Sequence, residues 1–169
     1  MNNDHEVLSF ITRRRSVRAF TGQGVTRQQV ETILKAAMAA PSARNLKPWR
    51  FYVSLDPATV KAVCAAHPHA PFGDKAGAVV VPFGSREGQK YFDQDFGAAT
   101  ENLLLAVANL GLGATWCGMD DGRQEAVNQV IGLPGGLYSF AVIPIGYPAE
   151  TPQPRTQFDP DKVVWERFP

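Results

Sequence analysis

Residues 91–110 read YFDQDFGAATENLLLAVANL. Phe92, Phe96, Ala99, Leu103 and Val107 recur at helical spacing and mark one apolar stripe. Leu104 and Leu105 widen it. So broad an apolar face predicts a long helix buried on more than one side. Gly111 follows as a natural helix terminator.

Other helices are predicted around it. Residues 5–12 place Val7, Phe10 and Ile11 at helical spacing. Thr26 and Gln29 form a capping box ahead of Val30, Ile33, Leu34, Ala37 and Met38. That helix must stop near Ala40, because Pro41 disfavours helical backbone in its predecessor. Asp56-Pro57 reads as N-cap and first helical residue, with Val60, Val63 and Cys64 facing inward and Pro68 ending the element. A shorter helix follows Asp120-Asp121, with Val127, Val130 and Ile131 inside and Gly132 beyond.

Strand signals are fewer. Residues 51–55 form one, and the near-continuous apolar run 78–83 reads as a buried strand. Residues 138–145 form another, where Pro144 predicts an edge, bulge or kink. Residues 151–155 are proline-rich and extended, and Lys162-Val163-Val164-Trp165 reads as a last short strand in a tail that packs on another subunit. This order is no regular βαβ alternation. It predicts an α+β fold with a small central sheet.

The chain has 169 residues, the length of one domain. With 44% apolar and 20% charged residues, it is neither disordered nor a coiled coil. No stretch approaches the roughly 20 apolar residues of a membrane helix. The opening residues are polar and acidic, unlike a signal or transit peptide, so a cytoplasmic location is the default expectation. Cys64 and Cys117 are too few for a disulfide scaffold or a zinc site. Net charge is +1, yet residues 1–50 carry nine Lys or Arg against three acids, and residues 51–169 carry eight against thirteen. The local balances are therefore +6 and −5. A cluster that local suits a small anionic ligand better than nucleic acid, which needs a basic face or domain.

Three segments could carry chemistry. In Arg13-Arg14-Arg15-Ser16-Val17-Arg18, extended backbone would put Arg14, Ser16 and Arg18 on one side and Arg13 and Arg15 on the other. Two guanidinium forks flanking a hydroxyl suit a phosphate. A solvated basic turn between helices is the equal alternative. Residues 41–51 join a helix end to a strand start. Two prolines stiffen that loop, and Ser42 and Asn45 offer polar groups to the edge of a planar ligand. The competing reading is a stiff connection with Trp49 as core anchor. Residues 111–118 are thick with glycine, which lets backbone approach a ligand. No strand precedes them, so they are not a dinucleotide fingerprint, and a turn with a short strand is the simpler reading. Cys117 reads as a packed thiol. His67-Pro68-His69 reads as an exposed loop, and with His5 makes a poor metal set. No nucleophile elbow, Walker loop or paired-carboxylate pattern is present.

Taken in order, these segments resemble the FMN-dependent nitroreductase family. The resemblance rests on Arg14-Arg15-Ser16-Val17-Arg18-Ala19-Phe20, on Pro41-Ser42-Ala43-Arg44-Asn45 and on Pro48-Trp49-Arg50-Phe51. It continues through Asn102-Leu103-Leu104-Leu105-Ala106 to Gly111-Leu112-Gly113 and Trp116, then Ile145-Gly146-Tyr147-Pro148, Arg155 and Trp165-Glu166-Arg167. It implies a small central mixed sheet flanked by helices and a homodimer with FMN at the interface. The C-terminal segment would extend onto the partner. By family match, Arg14, Arg15, Ser16 and Arg18 would hold the FMN phosphate, ribityl chain and ring edge, and Arg155 would close on the phosphate. Pro41, Ser42, Ala43 and Asn45 would lie against the flavin from the other subunit. Trp116, Cys117 and Gly118 would line the isoalloxazine near its reactive side.

The implied activity is ping-pong reduction of small electron-poor acceptors, such as nitroaromatics or quinones, by NAD(P)H. A carrier or sensor without robust turnover, or specialised flavin chemistry, is the alternative. The family often has glutamine where Lys47 stands. About twenty residues separate the 78–83 strand from the middle of the long helix, which implies a compact member without lid elements.

Overall fold

The structure is a computed structural model that describes residues 8–120, 122–153 and 158–167. Helix α1 (Ser9–Thr12) is one turn; residues 5–7 of the helix expected there lie outside the described residues. Helix α2 (Arg27–Met38) opens on the expected box. The Thr26 N–H donates to Gln29 Oε1 at 2.9 Å, and the Gln29 N–H donates to Thr26 Oγ1 at 3.2 Å. Strand β1 (Arg50–Ser54) and helix α3 (Pro57–Ala66) follow, the helix capped by Asp56. Strand β2 (Ala78–Gly84) leads to helix α4 (Phe92–Asn109). Two-residue strands β3 (Gly113–Ala114) and β4 (Cys117–Gly118) come next, then helix α5 (Gln124–Ile131). Gly132 ends α5 at φ 64°, where a side chain would be strained. Strands β5 (Tyr138–Ser139) and β6 (Ala141–Gly146) complete the sheet.

The sheet runs β1-β2-β6-β3, with β4 also on β6 and β5 on β2. Every ladder between these strands is antiparallel, and the parallel component is an isolated bridge between Ser16 and Ala114. Strand alternation gives the sheet two apolar faces. Val80, Ala141, Ile143 and Ile145 pack with Ile33 of α2 and Leu103 and Val107 of α4. Val79, Val81 and Val142 pack on the other face with Val60 and Val63 of α3 and Val127 of α5. Two covered faces explain why 78–83 reads as an unbroken apolar run.

Pro144 lies in β6, between β2 and the outer strands, and so not at an edge. Ala114 pairs with Ile145 and Cys117 with Val142, so the break between β3 and β4 falls opposite Ile143 and Pro144. A residue with no N–H to donate is tolerated where the outer ladder is interrupted.

The tail departs from expectation. Residues 163–165 form no strand; they follow a short 3₁₀ turn, Pro160–Lys162. Phe158 and Trp165 stand 81% and 78% exposed. A strand needs a neighbour to bond, and none of the described strands pairs with this segment.

Candidate functional site along β4

The arginine segment is tied to β3 by its single apolar residue. The Val17 N–H donates to the Ala114 carbonyl at 3.0 Å, and Thr115 Oγ1 donates to the Val17 carbonyl at 2.7 Å. A Cβ on Gly113 would lie 2.7 Å from the Val17 side chain, so only glycine lets the two strands approach this closely. With Val17 buried inward, the neighbouring polar residues turn toward solvent.

The arginines then divide. Arg13 caps α1 and donates to Asn109 Oδ1 at 2.8 Å. Arg14 Nε lies 3.1 Å from Glu101 Oε1 of α4, a half-exposed pair whose geometry does not complete a hydrogen bond. Among the described residues, Arg15 and Arg18 have no ion-pair partner. The Arg18 guanidinium lies 6.0 Å from the Phe72 ring centroid, while its backbone N–H donates to the Glu150 carboxylate. Of the three residues expected on one side, Arg14 is already engaged by Glu101, and Arg18 is exposed at the cavity described next.

Arg18 lines a cavity of about 460 Å³ with Trp116, Cys117, Gly118, His69 and Arg123. Strand β4 forms its floor. The Met119 N–H donates to the Phe140 carbonyl at 3.1 Å, toward β6. Peptide groups alternate along a strand, so those of Gly118 face away from β6. The Gly118 carbonyl accepts from His67 Nε2 at 3.0 Å on that side. Trp116 is 37% exposed and leans on Phe140, with ring centroids 5.4 Å apart. An adjoining cavity of similar volume shares Trp116, Gly118 and Met119 and is walled by Arg86, Tyr138 and Phe140. There the Arg86 guanidinium lies 3.4 Å from the Tyr138 ring centroid.

The loop 41–47 is held elsewhere. The Ala43 N–H donates to Asp95 Oδ1 at 2.9 Å, and the Lys47 N–H donates to Ser42 Oγ at 2.9 Å. Arg44, Asn45 and Lys47 sit at φ 54°, 56° and 48°, a run of left-handed backbone that non-glycine residues adopt at a cost. Trp49 is buried and anchors the loop beside Phe92 and Phe96. Asp95 and Asn102, seven residues apart on α4, share a face, and Asn102 Nδ2 donates to the Ala36 carbonyl at 3.2 Å. Gly97, beneath Trp116, and Glu101, beside Arg14, lie on the opposite face. Helix α4 therefore stands between the two groups. One chain brings Arg18, Trp116, Cys117 and Gly118 together and leaves Pro41, Ser42, Ala43 and Asn45 across the helix. Arg155 lies outside the described residues.

The sequence profile of the Nitroreductase family matches residues 11–66 and 56–147. This chain belongs to the nitroreductase family. It is 34% identical over 168 residues to a protein of Methanothermobacter thermautotrophicus provisionally named NADH dehydrogenase/NAD(P)H nitroreductase, covering 96% of this chain and 88% of the relative. The crystal structure of a like-named Bacteroides thetaiotaomicron protein superposes with a TM-score of 0.90 at 33% identity, covering 96% and 98% of the two chains. A Desulfovibrio desulfuricans protein, provisionally a nitroreductase and solved in complex with FMN, superposes with a TM-score of 0.83 at 31% identity, covering 96% and 98%.

In this nitroreductase-family chain the thiols are packed. Burial pushes Cys117 up to about 11, against an opposing pull from Arg18, and pushes Cys64 up to about 12. Cys117 Sγ donates to the His69 carbonyl at 3.5 Å. His67 corrects the expectation of an exposed loop: it is fully buried, while Pro68 and His69 are exposed. Its Nδ1 accepts from the His69 N–H at 3.2 Å, which assigns the proton to Nε2 in a neutral ring. Burial, the largest influence, holds its pKa below the usual histidine value. Sequence reasoning missed His67, His69, Met119 and Arg123 as neighbours of the cavity. Fifty-one residues separate His67 from Gly118, and no local pattern bridges that distance. Among the described residues, no helix is long and apolar enough to cross a membrane, and no cluster of three metal-ligating side chains occurs.

Proposed function

We propose that this chain is an FMN-dependent oxidoreductase that uses NAD(P)H to reduce small electron-poor acceptors, such as nitroaromatics or quinones, in a ping-pong sequence. Its working form is a homodimer with FMN at the interface. The observation that carries this reading is the cavity floor on β4. There an exposed Gly118 admits a flat ring without side-chain obstruction, and Arg18 offers a guanidinium unpaired among the described residues. That donor set fits a planar heteroaromatic ring with an anionic edge and a phosphate.

Bound there, FMN would supply the redox chemistry that links the nicotinamide to the acceptor. The chain supplies position and charge. Arg18 places a fixed cation at the ring edge, where a preorganised charge is worth more than in water. Arg14, Arg15 and Ser16 hold the phosphate and ribityl chain, with Arg14 giving up part of its pairing with Glu101. Trp116 and Gly118 form the surface along the ring. Cys117 stays protonated near neutral pH and serves as wall, not nucleophile. Pro41, Ser42, Ala43 and Asn45 complete the partner's site, and Arg155 closes on the phosphate.

FMN titration followed by flavin fluorescence tests the reading, with NADH and NADPH reduction followed in a stopped-flow instrument. Wild-type protein is expected to bind FMN and to oxidise NAD(P)H with a nitroaromatic or quinone acceptor. Arg18→Ala is expected to weaken FMN binding about tenfold, the loss of one charge-assisted contact. Protein that stays colourless in excess FMN would sink the proposal. A flavin that binds but is not reduced would leave a carrier in place of an enzyme.

A further inference from the structure

His67 is the one fully buried histidine among the described residues, and the proposed chemistry gives it no task. Its ring joins two segments that the chain keeps far apart. Nε2 donates to the Gly118 carbonyl at 3.0 Å, and Nδ1 accepts from the His69 N–H at 3.2 Å. Cys117 Sγ adds a second tie from β4 to the same turn, at 3.5 Å to the His69 carbonyl. The ring also lines the cavity beside Arg18 and Gly118.

The Gly118–Met119 peptide is thereby held at both ends. Its carbonyl is taken by His67, and its N–H is taken by Phe140 at 3.1 Å. That matters because β4 is two residues long and its second residue is glycine, the residue with the widest conformational choice. Two ladder pairs with β6 are little to fix such a strand. We infer that His67 is a positioning residue: it fixes the plane of the Gly118 peptide, and so the β4 floor on which the flavin ring rests. This rests on the reading that Gly118 faces the flavin.

The geometry sets the requirements for a replacement. The side chain must donate one hydrogen bond to the Gly118 carbonyl from a buried position. Glutamine can present an N–H at comparable reach. Leucine fills the space but leaves a carbonyl without a donor, and a buried unpaired polar group is costly.

The test compares full-length wild type, His67→Gln and His67→Leu. Amide exchange at Met119 is read by NMR without flavin, and FMN affinity and the visible spectrum are read on titration. His67→Leu is expected to speed Met119 exchange and weaken FMN binding about tenfold or more, with an altered flavin spectrum. His67→Gln is expected to restore affinity to within about threefold and to return the spectrum to that of wild type. A merely structural histidine would lower thermal stability in both variants and leave the affinity and spectrum of the folded protein unchanged; that outcome overturns the positioning role. Should His67→Leu not fold, His67→Asn, whose amide is one bond shorter, takes its place against His67→Gln under the same criteria. Wild-type protein that takes up no FMN would overturn the flavin reading itself. Uptake by wild type and variants alike overturns only the role of His67.

Discussion

Cys117 lines the β4 cavity, yet its surroundings make it a poor nucleophile. Burial raises both thiols, Cys117 to about 11 and Cys64 to about 12, so neither is a thiolate at neutral pH. Native protein is therefore expected to resist a thiol-alkylating reagent at pH 7.5, and denatured protein to take up two equivalents, read by mass spectrometry. Rapid labelling of native Cys117 would contradict the burial assigned to it. The sign for stability follows from the same shifts. Thiols whose pKa is higher folded than unfolded favour the fold fully below the ordinary thiol value. That contribution fades as pH rises through 9 toward the folded values. At this scale the sequence was legible for Thr26, Asp56 and Gly132, whose roles are set by residues within a few positions. It was not legible for His67, whose partner is Gly118. A histidine flanked by proline and another histidine resembles loop chemistry until the sheet brings a carbonyl to it.

At the scale of elements, α4 organises the molecule. Its broad apolar face was readable from spacing alone, and eight of its eighteen residues are buried. Its polar positions were not readable, because Asp95, Asn102 and Glu101 take their meaning from what packs on each side. Strands β3 and β4 fall below any periodicity signal at two residues each. The glycine-rich reading of 111–118 located them without showing that Gly113 sits against Val17. Gly113→Ala would drive a methyl carbon into that side chain and push the arginine segment off β3. Overpacking of this kind is expected to cost about 1–3 kcal/mol in urea unfolding and to weaken FMN binding as well. Unchanged stability would mean that the segment is not clamped there.

For the whole molecule, the separation of the two residue groups by α4 makes a prediction about assembly. If Arg18 of one chain and Asn45 of its partner share a site, a chain carrying Arg18→Ala and a chain carrying Asn45→Ala are each defective in both sites of a homodimer. Mixed and allowed to exchange subunits, they are expected to form dimers with one intact site, and FMN binding should return to up to half of the sites in those dimers. Sedimentation of the wild type should give twice the 18.4 kDa chain mass. No regain on mixing, or a monomer that binds FMN at full affinity, would place the site within one chain. Phe158 and Trp165 are exposed, and the segment they flank finds no strand partner among the described residues.

The sequence by itself determined the α+β class, the helices with their caps and the buried strands, because each follows from local periodicity and capping chemistry. Its ordered motifs pointed to the nitroreductase family, and its first fifty residues carry a +6 balance concealed within a net charge of +1. Only the tertiary structure decided how those arginines divide, with Arg14 drawn to Glu101 and Arg18 left facing the cavity. It alone placed His67 beneath Gly118 and set α4 between the two halves of the proposed site. These are contacts between residues many positions apart, and side-chain patterning specifies which face of an element is buried, not which residue meets it there.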